Sequence, residues 1–213
     1  MKISKYYYTP LAYKLINNNM LAWQACNEIK NAICSVTWPS DSQIFSINNS
    51  QKNCNGVVPI KDPCYQCLEY TYQWFREKPL EVLKNEKQKG GPIDVYKEFL
   101  DKDGSKFRVG LEFETGNISS AHRSLNKLIL GLNRKELDLA AILLPVKALA
   151  YYLTDRVANY EELEPYFEIT NKLPFVFIGF NADTFDNKVA FIPKGKDGMS
   201  HRNIRKWMAN KKA

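Results

Sequence analysis

The sequence predicts an α/β protein with a mixed central β-sheet flanked by helices on both faces. Three observations carry this expectation. Residues 93–100 (I-D-V-Y-K-E-F-L) and 107–115 (F-R-V-G-L-E-F-E-T) alternate with period two and are rich in β-formers, and the Asp103-Gly104 pair between them signals a hairpin. Residues 139–144 form a continuous apolar run and residues 173–180 a second buried segment, both suited to central strands. Segments with helical spacing come before, between and after these strands.

The elements follow in chain order. Residues 20–34 place Leu21, Ala22, Ala25, Cys26, Ile29, Ala32 and Ile33 on one side of a helix. Residues 39–55 are rich in Ser and Asn and read as loop, with one short strand at 44–47. Asp62-Pro63 reads as a cap and a first helical position, opening a helix that runs to about Arg76. Residues 79–88 read as a short helix stopped by Gly90-Gly91. Residues 117–132 return to helical spacing through Ala121, Leu125, Leu128, Ile129 and Leu132. Short helices are expected at 146–153 and 161–167, and a basic amphipathic helix at 199–209.

Composition bounds the function. The 213 residues are 45% hydrophobic and 25% charged, a globular mix that excludes a disordered chain and fits a single domain over 1–213. Net charge is +7, and residues 194–213 hold seven basic side chains and one acid, so the remainder is close to neutral. A basic tail from about residue 194 on a neutral body suggests a polyanionic partner. Five cysteines without a secretory opening segment fit reduced thiols and the cytoplasm. Cys64 and Cys67 form one isolated C-x-x-C, which reads as core packing and not as zinc. The longest apolar run is too short for a bilayer, so no membrane partner is expected.

With only His122 and His201, histidine chemistry is poorly supplied. What stands out is carboxylates on strands. Asp94 sits one residue into the first hairpin strand, and Glu112 and Glu114 lie two apart on the second, where period two gives them one face. Like charges beside a core are costly unless compensated, and a hard divalent cation such as Mg²⁺ compensates them. Paired ions of this kind stabilise the attacking and leaving oxygens in phosphodiester cleavage. The plain alternative is a solvated strand face, with Lys97 or Arg108 as partners. The spacing resembles the nuclease pattern Asp…Glu-x-Lys, with Glu114 where the lysine usually stands.

Longer stretches are more specific. C-N-G-V-V-P-I-K (54–61), R-E-K-P-L (76–80), K-G-G-P-I-D-V-Y-K-E-F (89–99), E-F-E-T-G-N-I-S-S-A-H-R-S (112–124), L-A-Y-Y-L-T-D-R-V (149–157) and E-E-L-E-P-Y-F-E (161–168) resemble the BamHI family of type II restriction endonucleases. The resemblance runs from about Leu21 to Trp207. It implies a restriction-endonuclease-like core acting as a homodimer on double-stranded DNA at the palindrome GGATCC, cut after the first G to leave 5′ overhangs. It also implies that Asp94 and Glu112 bind Mg²⁺, with Glu77 completing one metal site from the helix before Pro79. Glu114 is implied to activate or position the attacking water.

The following segment, Gly116-Asn117-Ile118-Ser119-Ser120, opens a helix whose free N–H groups suit phosphate, and Asn can pair with adenine. A routine N-cap is the ordinary alternative for Asn117 or Ser119. The resemblance sets Asn117, Ser119 and Arg123 toward the major groove. It extends to Asp155 and Arg156, which together can read a G·C pair, although an adjacent Asp-Arg is ordinarily a surface ion pair. Lys61 and Lys89 are expected at phosphates or base edges, and Met199 near DNA. Residues 120–132 and 146–152 hold apolar side chains beyond the needs of one face, which the family reading makes a dimer seam and the ordinary reading makes core. Three rival functions are a structure-selective metal nuclease of repair or recombination, a non-catalytic DNA-binding protein, and a dimeric protein whose basic tail binds acidic partners.

The hairpin gives a geometric test. Residues opposite each other on antiparallel strands share a face. A two-residue Asp103-Gly104 turn sets Asp94 across from Phe113 and drives the acids to opposite faces. A three-residue loop sets Asp94 across from Glu114, and a five-residue loop sets it across from Glu112. A bulge at Gly110 also serves. One of these odd arrangements is expected, with the three acids converging.

Overall fold

The computed structural model describes residues 1–81 and 91–194. In chain order the elements are β1 (Lys2–Tyr8), α1 (Pro10–Asn18), α2 (Met20–Cys34), β2 (Ser46–Ile47), α3 (Val58–Gln66), β3 (Phe75–Lys78), β4 (Ile93–Leu100), β5 (Lys106–Phe113), α4 (Ile118–Asn133), β6 (Leu139–Pro145), α5 (Lys147–Ala150), α6 (Tyr160–Leu163), β7 (Phe175–Asn181) and β8 (Thr184–Phe185). A six-stranded sheet in the order β1-β7-β6-β5-β4-β3 forms the centre. Its outer pairs are antiparallel, while β5, β6 and β7 run parallel, so the sheet is mixed. All seven residues of β6 are buried, as a strand covered on both faces requires.

The two faces are dressed differently. Lys97 of β4 reaches Glu28 of α2, while Gly110, paired with Tyr96, leaves room for the Leu137 side chain that also packs at Gly131 of α4. A Cβ at Gly110 would lie 2.8 Å from Leu137 Cδ1, so this glycine permits the close approach.

The expected register holds in its five-residue form. Leu100 pairs with Lys106 and Val95 with Leu111, and continuing this register sets Asp94 across from Glu112. The loop is closed by the Asp101 N–H donating to Ser105 O and the Gly104 N–H donating to Asp101 O, both at 2.9 Å. Gly104 takes φ +81, a left-handed conformation that glycine adopts without steric cost.

Several expectations need correction. The helix placed from Asp62 to Arg76 instead starts at Val58, holds Pro63 in its interior, and ends at Gln66 in a π turn over Cys67–Thr71. Pro63 cannot donate to the helix ladder. Beyond it, Gln73 turns at φ +60 and the Trp74 N–H donates to Leu68 O, so the chain reverses and continues as β3. Glu77 therefore sits on a strand and not at a helix end. β1 and α1 were not expected. β1 pairs antiparallel with β7, and Thr9-Pro10, a cap followed by a proline, starts α1. The helices expected at 79–88 and 199–209 lie mostly or wholly outside the described residues.

A buried polar cluster locks this reversal to the sheet. Glu28 accepts from Lys97 Nζ at 2.8 and 3.1 Å, from Trp74 Nε1 at 2.7 Å and from Gln24 Nε2 at 2.8 Å. Lys97 Nζ also donates to Tyr72 O at 2.7 Å. Lys97→Ala leaves a buried carboxylate without its cation and is expected to cost about 3–5 kcal/mol, read from the urea midpoint. A loss below about 1 kcal/mol would contradict this role.

Candidate active site

Three acids and the exposed Glu77 line one open cleft of about 610 Å³, walled by α3, the start of β4, the end of β5 and the first turns of α4. The hairpin register brings Asp94 and Glu112 together, and β3 brings Glu77 alongside, with Arg76 and Lys78 paired to Val95 and Ile93 on either side of Asp94. Glu77 has φ +57, a strained conformation for a side-chain-bearing residue. Its neighbour Arg76 stacks over the Tyr65 ring at 4.3 Å.

Asp94 Oδ2 accepts from the Tyr65 hydroxyl at 2.7 Å and from the Phe113 N–H at 3.0 Å, and Lys61 Nζ lies 4.0 Å away. These donors fix the carboxylate on the cleft side. Tyr65 is nearly fully buried, and burial together with the Asp94 charge holds its hydroxyl protonated, with a pKa far above the ordinary phenol value.

Glu112 and Glu114 are 3% and 8% exposed, so they are not the solvated strand face of the plain alternative. Lys97 and Arg108, the partners that alternative needs, pair with Glu28 and Asp138. The charges are met from α4 instead. Ser124 Oγ lies 3.1 Å from Glu112 Oε2 and 2.9 Å from Glu114 Oε2, and its single proton can serve one of them at a time. The Gly116 N–H donates to Glu114 Oε1 at 2.8 Å. Lys127 Nζ sits 2.6 Å from Glu112 Oε1 as an ion pair, yet that buried oxygen receives no well-directed hydrogen bond.

This arrangement raises the Glu112 pKa from 4.5 to about 7. Burial is the first cause and the Asp94 charge the second, while Lys127 and Ser124 pull the other way. Hard oxygen donors, one of them buried without a directed donor, fit a hard divalent cation. No group of three or more acid, His or Cys side chains among the described residues is already gathered as a metal cage.

The expected DNA-facing residues divide into groups. Asn117 caps α4, its side-chain oxygen accepting from the Ser120 N–H at 3.0 Å, which leaves its amide N–H groups outside the cap. Ser119 and Arg123 are exposed on α4, and Arg123 lines the cleft. Asp155 and Arg156 are exposed and ion-paired at 3.7 Å, with Arg156 at φ +62. Lys61 lines the cleft. Lys89 and Met199 lie outside the described residues. Tyr65, Ser124 and Lys127 were not singled out from sequence. The i, i+3 spacing of Ser124 and Lys127, which starts at the residue after Arg123, is the signal that could have found the last two.

The profile of the restriction endonuclease BamHI family matches residues 1–199. The type II restriction enzyme BamHI of Bacillus amyloliquefaciens is 62% identical over 207 residues, which covers 97% of each chain. The chain belongs to the BamHI restriction endonuclease family. It is a type II restriction endonuclease by that membership, a site-specific deoxyribonuclease. OkrAI of Oceanobacter kriegii, a second type II restriction enzyme, is 37% identical over 195 residues, 88% of this chain and 96% of that one. A crystal structure of the restriction endonuclease BglII complexed with a DNA 16-mer aligns with a TM-score of 0.60 at 12% identity, covering 89% of this chain and 88% of that one. That likeness shows the restriction-endonuclease fold. No helix among the described residues is long and apolar enough to cross a membrane.

A raised acid pKa means the folded protein holds a proton that the unfolded chain releases. Metal-free stability therefore falls as pH rises from about 4.5 through about 7. Glu112→Gln is expected to remove this segment of the pH profile. The melting temperature of the variant minus that of the wild type should grow across that window. A constant difference from pH 4.5 to about pH 8 would contradict the assignment.

Proposed function

We propose that this chain is a cytoplasmic, homodimeric, Mg²⁺-dependent endonuclease, one nuclease domain with a basic tail, that cleaves double-stranded DNA at GGATCC after the first G and leaves 5′ overhangs. The observation that carries the reading is the meeting of Asp94, Glu112 and Glu114 in one cleft beside the first turns of α4, in a chain 62% identical to BamHI. Asp94 and Glu112, with Glu77, would hold Mg²⁺, which supplies Lewis-acid stabilisation of charge on the phosphate when bound. Glu114, held by the Gly116 N–H and Ser124, would orient the attacking water and take its proton. Tyr65 keeps the Asp94 carboxylate turned into the cleft.

Recognition is assigned to the rim. Asn117, Ser119 and Arg123 on α4 are the major-groove readers, and Asp155 and Arg156 together read a G·C pair. Lys61, Lys89 and Met199 contact phosphates or base edges, and the tail adds charge that favours every DNA sequence alike. A palindrome cut on both strands calls for a two-fold pair of chains. Ile118 and Tyr151 are exposed and Ile129 and Leu130 half-buried on the segments assigned to the seam.

Two outcomes are expected. Plasmid DNA digested with Mg²⁺ gives discrete fragments whose sequenced ends are 5′ GATC overhangs, and excess chelator stops the reaction. Cutting at branched junctions, or at scattered sequences, would favour a structure-selective nuclease. Arg156→Ala should lose about 1–3 kcal/mol of discrimination at one G·C pair of each half-site, measured by competitive cleavage of single-substituted sites. A uniform loss of affinity for all sequences would reassign Arg156 to the phosphate backbone.

A further inference from the structure

Lys127 of α4 lines the cleft and has no part in the proposed function. Lys127 Nζ touches two things. It lies 2.6 Å from Glu112 Oε1, and it donates to Pro92 O at 2.6 Å, two residues before Asp94. Its side chain is 10% exposed, so it is a placed group and not a solvated lysine. The two contacts tie β5, which carries Glu112, to the residue that leads into β4 and Asp94. In the pattern Asp…Glu-x-Lys the cation follows the glutamate on the same strand. Here Glu114 stands in that place, and the ammonium comes from the neighbouring helix.

We propose that Lys127 is a positioning residue that serves as the resident counter-cation of Glu112, and that a divalent ion taken up by Glu112 displaces its ammonium from Oε1. The inference rests on the reading of Asp94 and Glu112 as metal-binding residues. Its physical basis is a competition for one oxygen. Glu112 Oε2 lies within hydrogen-bond reach of Ser124, and Oε1 is the oxygen that lacks a directed donor. An ammonium and a divalent ion repel each other at that distance, so each weakens the other's hold, and the effect is reciprocal. Before metal binds, Lys127 offsets the cost of a buried carboxylate and holds β4 against α4 through Pro92. After metal binds, the ammonium turns outward into the cleft, where a phosphate is its natural partner.

The test uses the full-length protein with Ca²⁺ as probe. Lys127→Met keeps the apolar stem and removes the charge. Its melting temperature without metal should fall, and its Ca²⁺ affinity by calorimetry should rise about tenfold, within the usual range of such couplings. A merely structural lysine would lower both, so an unchanged or weakened Ca²⁺ affinity overturns the proposal. In wild type, amine-reactive labelling read by mass spectrometry should modify Lys127 faster with Ca²⁺ than without, and an unchanged rate overturns it even where the variant does not fold. Asp94→Asn separates the two levels of the argument. If Asp94→Asn leaves Ca²⁺ binding intact, the metal reading itself falls. If it abolishes binding while Lys127→Met fails to tighten it, only the role of Lys127 falls.

Discussion

The register of the β4–β5 hairpin is the constraint on which the rest of the site depends. The pairing of Leu100 with Lys106 closes a five-residue loop, and every later pair follows from that choice. A loop one residue shorter or longer would set Asp94 across from a residue whose side chain points away from Glu112, because side chains alternate with period two. The loop obtains its odd length by spending Gly104 on a left-handed turn and by satisfying the Ser105 N–H with the Asp103 side chain. The chemistry assigned to the cleft thus begins at the opposite end of the hairpin, in its connecting loop.

The register brings like charges together, and the fold then has to make that tolerable. It does so with donors from three separate elements. Tyr65 of α3 and the Phe113 N–H hold Asp94, the Gly116 N–H holds Glu114, and Ser124 with Lys127 of α4 meets Glu112 and Glu114. The compensation is incomplete at Glu112, where burial outweighs the helix donors and leaves the carboxyl more basic than an ordinary one. An under-compensated acid is what a cation-binding site needs. A fully satisfied carboxylate has no reason to exchange its partners for a metal.

Local signals were legible where one element decided the outcome. The apolar stripe of residues 20–34 gave α2 with its observed ends, and the alternation of 93–100 gave β4. Glu112 on β5 and Glu114 just past its end were legible because period two alone gives them one face. Legibility ended where distant segments compete. Residues 67–76 carry helix-like spacing, yet Trp74 is drawn to Glu28 and the chain turns into β3, which moves Glu77 from a helix end to a strand. β1 is a tyrosine-rich edge strand, and its pairing with β7, more than 160 residues on, is a long-range contact that local pattern does not specify. Ser124 and Lys127 looked like ordinary helix residues because their meaning lies in what β5 places opposite them. Family resemblance supplied roles for Asp155 and Arg156 that their local setting, an exposed ion pair, does not distinguish from a solvated surface.

On the proposed reading, one hairpin register assembles a divalent-cation site between Asp94 and Glu112. Crystals of the protein equilibrated with Mn²⁺ and measured at the manganese absorption edge test it most directly. An anomalous peak is expected within bonding distance of carboxylate oxygens of both Asp94 and Glu112, with Asp94 across the hairpin from Glu112. A peak bound by neither residue, or a hairpin with Asp94 across from Phe113, would contradict it.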